Sequence, residues 1–251
     1  MPTPLSLSGA PNFRDLGGYV TASGHSVRRH RFFRSDHLGA LAPADLSALA
    51  TALGAPLRVL DLRGVNERLL AACAIPGATV HSLPIEPTIV QKLQDLLAAG
   101  EQLDEATTVA LIQDTYRGFV RGNTPRFAAL FGHLLDEADT APLVFHCTAG
   151  KDRTGFAAAL LLLALGVPRD TVLHDYLLTN DRLAARVHTG ALPPQVARVL
   201  WRVQPEFLAA AFEAVDADYG GLEGYLRDGL LLGTAQQRRL RERFLVAAER
   251  S

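Results

Sequence analysis

Apolar residues along the chain keep two rhythms. Short runs bounded by turn residues, at 57–64, 79–84 and 141–145, predict strands. Longer runs with helical spacing predict helices. One covers 43–53, with Pro43 in its first turn and Gly54 after its last. A second covers 86–120, broken at Gly100, with Ile89, Leu93, Leu96 and Leu97 on one face, and a third covers 125–137. The uninterrupted apolar run 156–165, closed by Gly166 and Pro168, predicts a buried helix, and a further helix starts at Pro168. A charged amphipathic helix is predicted over 234–250. The first 35 residues read instead as short extended pieces around the turn Ala22-Ser23-Gly24, a hairpin-like entrance. Strands alternating with helices predict one α/β domain over 1–251: a central, mostly parallel sheet flanked by helices, with extra helices after the third of these strands.

The chemistry concentrates where the strand 141–145 meets the helix 156–165. The connecting loop, His146-Cys147-Thr148-Ala149-Gly150-Lys151-Asp152-Arg153-Thr154-Gly155, lies at a strand's carboxyl end and a helix's amino end. Unpaired N–H groups of the first helical turn, with the helix dipole, favour an anion there. A cysteine in that field, beside Lys151 and Arg153, is favoured as the reactive thiolate, which makes Cys147 the candidate nucleophile. Arg153 follows six positions later, and a loop curled between them brings its planar guanidinium over the same pocket, able to grip two oxygens of an anion. Nucleophile, cradle and clamp from one loop suit phosphoryl transfer.

Ligands in open α/β sheets sit outside the strands' carboxyl ends, which places Asp61 on the same sheet edge as Cys147. A carboxyl group there can protonate a leaving oxygen. The competing reading pairs Asp61 with Arg63, two positions on along the same strand face, and that pairing would depress its pKa and hinder proton donation. Asp152 inside the loop and Glu67 after Gly64 are rivals for the acid's role. Arg14 and Asp15 read as a structural ion pair.

Composition narrows the function. The net charge of −1 gives no global drive toward nucleic acid, and the basic cluster Arg28-Arg29-His30-Arg31 reads as a solvated face or a steering patch for phosphorylated substrate. The longest apolar run is too short to span a bilayer, so no stable membrane insertion is expected. The start shows no charged region followed by an apolar stretch, so the expectation is a soluble protein, cytoplasmic or secreted without an ordinary signal peptide. Eight histidines show no paired ligand spacing with acids or cysteines, so neither metal nor other cofactor is expected. The two cysteines, Cys73 and Cys147, cannot form a disulfide framework for a domain this large.

The decapeptide His146 to Gly155 (HCTAGKDRTG) resembles the C-x5-R signature loop of cysteine-dependent phosphatases, in the form found in the bacterial atypical protein tyrosine phosphatases. Four further phrases resemble the same family: NFRDLGGY from Asn12, FRSDHL from Phe33, DLR from Asp61, and DYLLTND from Asp175. The resemblance implies the cysteine-dependent phosphatase fold and a phosphomonoester hydrolase working through a phosphocysteine intermediate. It implies tyrosine or dual-specificity protein phosphatase activity together with phosphoinositide phosphatase activity. The implied catalytic residues are Cys147, Arg153 and Asp61, the last carried over as the general acid of the DLR segment. The loop from Thr148 through Ala149, Gly150, Lys151 and Asp152 to Arg153 would bind the phosphate. His146 would position its neighbours, and Thr154 would donate a hydrogen bond to the thiolate. Residues 86–121 would correspond to a helical lid, with ordinary helices packed on the sheet as the other reading. A non-catalytic phosphate-binding module and a sulfurtransferase carrying persulfide on Cys147 are the alternative functions.

Overall fold

The computed structural model describes residues 5–54, 56–86, 88–101, 103–138, 140–184 and 192–247. In chain order it forms β1 (Arg14–Asp15), β2 (His25–Val27), β3 (Phe32–Ser35), α1 (Pro43–Leu53), β4 (Arg58–Asp61), α2 (Val65–Leu70) and β5 (Thr79–Ser82). There follow α3 (Thr88–Ala98), α4 (Glu105–Leu135), β6 (Leu143–His146), α5 (Asp152–Ala164), α6 (Arg169–Arg182), α7 (Pro194–Leu200) and α8 (Pro205–Tyr219). A short α9 (Leu222–Gly224) runs into a π-helical turn at Tyr225–Gly229, and α10 (Thr234–Phe244) passes directly into β7 (Leu245–Ala247).

Five strands make the central sheet in the order β1-β3-β6-β4-β5, parallel except for the antiparallel β1-β3 pair. Every residue of β3, β4 and β6 is buried, as expected of parallel strands covered on both faces. Alternation divides their side chains between two cores. Phe32, Leu60 and Phe145 pack with α5, α4 and α8, while Phe33, Val59 and Val144 pack with Leu49 of α1 and Phe13. The central helix, α5, is apolar all round and buried almost throughout, which an Ala- and Leu-rich sequence permits. Its partner α6 approaches closely at Gly155, where a Cβ would press into the ring of Tyr176.

Four elements differ from the sequence pattern. The strand expected over 57–64 is confined to Arg58–Asp61, and α5 begins at Asp152, which puts Arg153 and Thr154 in the helix's first turn. The helices expected on either side of Pro125 are one continuous helix, α4. Proline in a helix interior costs about 3 kcal/mol. Here Ile112, Tyr116, Phe119 and Val120 before it and Phe127, Leu130, Phe131 and Leu134 after it form one stripe in the main core. The Thr124 hydroxyl also donates to the Val120 carbonyl (2.6 Å), and that burial outweighs the lost hydrogen bond. The C-terminal helix ends at Phe244, because Leu245–Ala247 instead pair antiparallel with β2, while Phe244 packs edge-on against Phe32. Residues 248–250 of that expected helix lie outside the described residues. Among the described residues no helix is long and apolar enough to cross a membrane.

Candidate active site

Residues 147–151 connect β6 to α5, and the signature loop runs on through Asp152 and Arg153 in the helix's first turn, with Cys147 at 2% exposure. Its curvature requires glycine at 150, where φ is +64° and a Cβ would overlap the backbone of Ser35 and Asp36. Three successive loop carbonyls are held from outside. Thr148 O accepts from the His37 N–H (3.0 Å), Ala149 O from Asn12 Nδ2 (3.0 Å), and Gly150 O from both Asn12 Nδ2 and Arg34 Nη2 (2.9 Å each). In a planar trans peptide the N–H points opposite to the C=O, so the amides of Ala149, Gly150 and Lys151 turn into the loop's concavity. The first turn of α5 faces the same space.

Arg153 is clamped end-on by Glu67. Its Nη1 donates to Glu67 Oε2 (2.7 Å) and to the Ile85 carbonyl (2.9 Å), and its Nη2 donates to Glu67 Oε1 (2.8 Å). Nε and the second Nη2 proton then stand side by side, available to two oxygens of an anion. Glu67 also accepts from the Gly64 N–H, closing the first turn of α2, and from the Thr148 hydroxyl. Burial works to raise its pKa, but the hydrogen bond and charge of Arg153, with Thr148 and Gly64, bring it below the ordinary glutamate value. On Arg153, burial is outweighed by the Glu67 hydrogen bonds and the nearby Cys147 sulfur, and its pKa rises. Glu67, weighed in the sequence as a proton donor, is thus committed to Arg153.

The carboxylates expected to compete for the acid's role are separated by the sheet. Leu60, Leu62, Phe145 and Cys147 share one core; Val59 and Val144 face the other. Asp61 and His146, paired in register, alternate onto that second face, away from the sulfur. There Asp61 accepts from Arg63 Nε (2.9 Å), Nη2 (2.7 Å) and N (3.0 Å). Burial works to raise the Asp61 pKa, while the Arg63 hydrogen bonds, and His146 once acid has protonated it, lower it, and the lowering wins. Asp61 therefore occupies the ion pair that the sequence held open as the other reading. Asp152 lies within the loop and is partly exposed. Its Oδ1 accepts from Lys151 Nζ (2.9 Å) and from the Tyr116 hydroxyl (2.9 Å), which in turn lies 2.6 Å from the Tyr176 hydroxyl. Burial, with the charge of Asp152, raises both phenol pKa values well above 10, so both stay neutral, and Tyr116, donating to Asp152, accepts from Tyr176.

Lys151 also donates to the Arg202 carbonyl between α7 and α8 (3.2 Å). His146 is buried with Nδ1 against the Cys147 carbonyl (3.1 Å), and burial lowers its pKa to about 4, so it is neutral at pH 7. The hydroxyl of Thr154 is buried without a hydrogen-bond partner, so the bond expected from it to Cys147 is not formed in this structure. Cys73 and Cys147 are both free, and burial raises the Cys73 pKa.

Sequence reasoning missed the support beneath the loop: Asn12, Arg14, Arg34 and Asp175. Arg14 pairs with Asp175 (2.9 Å), not with Asp15, which accepts from the Gly17 and His30 N–H groups to shape the entrance turn. The only signal available was that these residues fall in the phrases at 12–19, 33–38 and 175–181. Arg31 lies at the amino end of β3, so the basic cluster sits at the opposite end of the sheet from the loop.

A cysteine-headed oxyanion cradle, on the carboxyl edge of a mostly parallel sheet and clamped by a buried arginine, defines a class of phosphate-binding α/β protein. The model of the tyrosine phosphatase family matches residues 5–246. A Cupriavidus necator protein that carries a provisional tyrosine-protein phosphatase name is 37% identical over 93% of this chain and 86% of its own length. The triple specificity protein phosphatase PtpB of Mycobacterium tuberculosis is 34% identical over 88% of this chain and 92% of that one. Among solved structures, P. aeruginosa TpbA in complex with pTyr aligns over 74% of this chain and 94% of that one, at 15% identity and a TM-score of 0.32. The chain belongs to the tyrosine phosphatase family.

Proposed function

We propose that the protein hydrolyses phosphomonoesters through a phosphocysteine intermediate, with phosphotyrosine as its main substrate, further protein specificity, and activity on phosphoinositide headgroups. The observation that carries this reading is the arrangement of the loop: three inward amides, an arginine clamped end-on and a cysteine at the loop's head. The Cys147 sulfur attacks phosphorus in line and the ester oxygen departs. Asp152 donates the proton that oxygen needs, and then, as carboxylate, draws a proton from the water that releases phosphate. Asp152 suits this better than Asp61, because it belongs to the loop, is partly exposed and has its carboxyl aimed by Tyr116. Arg153 and the amides hold the equatorial oxygens.

Lys151, beside Arg153, adds a cation that suits polyanionic headgroups, and the broad specificity in the name of the mycobacterial relative supports a wide substrate range. The burial of Cys147, Lys151 and Arg153 supports a cover that must move for substrate to enter. We assign that cover to α3 and α7, which share a small core of Leu93, Leu103 and Val196 apart from the main one. A series of aryl phosphates tests the chemistry. Cys147→Ser should abolish turnover and keep phosphate binding. Asp152→Asn should slow poor leaving groups far more than good ones, whereas Asp61→Asn should leave that dependence as in the parent. A steeper dependence in Asp61→Asn alone would return the acid's role to Asp61, and undiminished turnover in Cys147→Ser would sink the mechanism.

A further inference from the structure

A buried chain of polar groups reaches the signature loop from residues with no part in the chemistry above. Asn12 is fully buried, and its Nδ2 straddles two consecutive loop carbonyls, Ala149 O and Gly150 O. A carboxamide could present either end to the loop, and which end it presents is set by its other partner. That partner is the guanidinium of Arg14, whose Nη1 donates to Asn12 Oδ1 (2.6 Å), so the oxygen must face Arg14 and the nitrogen must face the loop. Arg14 is itself aimed by Asp175, which takes Nε on Oδ1 and Nη2 on its backbone carbonyl (2.9 Å each). The other carboxylate oxygen of Asp175 accepts from Arg34 Nη1 (2.7 Å), and Arg34 Nη2 donates to Gly150 O. One buried carboxylate therefore aims two arginines. One orients Asn12, and the other bonds the same loop carbonyl directly.

We infer that Asn12 is a positioning residue of the phosphoryl-transfer site: by holding the Ala149 and Gly150 carbonyls outward it turns the Gly150 and Lys151 amides toward the phosphate, and Asp175 sets its orientation through Arg14. The inference rests on the reading of the loop as a phosphate cradle. Its chemical content is the sign of the bond Asn12 makes. The loop needs a donor at this position, while Arg14 needs an acceptor.

Asn12→Asp separates those two needs. An aspartate of the same shape still satisfies Arg14, and better, because it is charged. It cannot donate to either loop carbonyl and repels both. The expected result is a folded protein whose urea midpoint is at or above that of the parent, with affinity for inorganic phosphate, by calorimetry on the Cys147→Ser background, weakened on the order of 100-fold. kcat/KM for an aryl phosphate, measured with Cys147 in place, should fall similarly. A role confined to holding the N-terminal segment predicts the reverse, since the aspartate keeps the Arg14 contact. A folded Asn12→Asp protein with phosphate affinity and kcat/KM within twofold of the parent overturns the inference. Should Asn12→Asp not fold, Asn12→Ala, which also removes the donor, is held to the same two measurements and the same limits. The parent is assayed first: a parent that neither binds phosphate nor turns over aryl phosphate removes the phosphatase reading and this inference with it, whereas an active parent with an unaffected variant removes the inference alone.

Discussion

Single residues at this site are defined by the face of the sheet on which they emerge. Asp61 and Cys147 lie at the carboxyl ends of neighbouring strands, yet the two-residue period of a strand sends one to each side. Glu67 emerges toward the loop and meets Arg153 in a two-pronged contact. Glu67→Gln keeps the shape but replaces one acceptor with a donor facing a guanidinium. The fork of Arg153 should lose its fixed orientation, and kcat/KM for an aryl phosphate should fall on the order of 10-fold, chiefly in KM, because the lost interaction serves ground state and transition state alike. Steady-state kinetics check it. Lys151, one of the two lysines in a chain that otherwise uses arginine, bonds both Asp152 and Arg202 O, linking Asp152 to the connection between α7 and α8.

At the scale of elements, α4 shows how packing overrides a local rule. Pro125 marks a boundary in the sequence, and the pattern on either side reads as two helices. The helix continues because both halves present apolar residues to the same core, and because the side chain of Thr124 bonds the Val120 carbonyl (2.6 Å) and the Tyr225 hydroxyl (2.9 Å). Thr124→Val keeps the volume and removes both bonds. Leaving the buried Tyr225 hydroxyl without this partner should cost about 1–3 kcal/mol, seen as a lower urea midpoint with an unchanged m-value. The continuity of α4 also matters to the site, since the same helix carries Tyr116 to Asp152. The last element behaves similarly. Strand pairing with β2 ends α10 at Phe244, a long-range partner that no local pattern announces.

For the whole molecule, the buried charges make acid the condition that unfolds it. His146 has a folded pKa of about 4 against 6.5 for the free side chain, so below about pH 6.5 the unfolded chain takes up a proton that the folded one refuses. Stability should fall by up to about 3 kcal/mol between pH 6.5 and 4 from this group alone. Asp61, Glu67 and Asp175 have folded pKa values below their unfolded ones, in each case against the effect of burial, so their contribution is complete above the unfolded values and is lost as pH falls through the folded ones. Urea midpoints should hold level above pH 7 and decline from about pH 6.5 downward. In His146→Asn the decline between pH 6.5 and the carboxylate range should be shallower, keeping only the part set by His133, whose pKa burial also lowers. An equally steep decline in both proteins would mean that His146 is not held neutral.

Local physics made the strand, loop and helix around Cys147 readable from residue order alone. The turn needs glycine, the cradle needs the start of a helix, and an arginine six residues on returns to the same pocket; all of this is encoded within about ten consecutive positions. The α/β class followed for the same reason, since hydrophobic period and helix punctuation are local. Long-range partners are not encoded that way. Arg14 stands next to Asp15 in the chain but meets Asp175, Glu67 reaches across to Arg153, and Asn12 touches a loop 137 residues away. A buried charge or amide takes the partner that satisfies its geometry and replaces its lost water, and only the folded arrangement of sheet and helices decides which groups are close enough to do so.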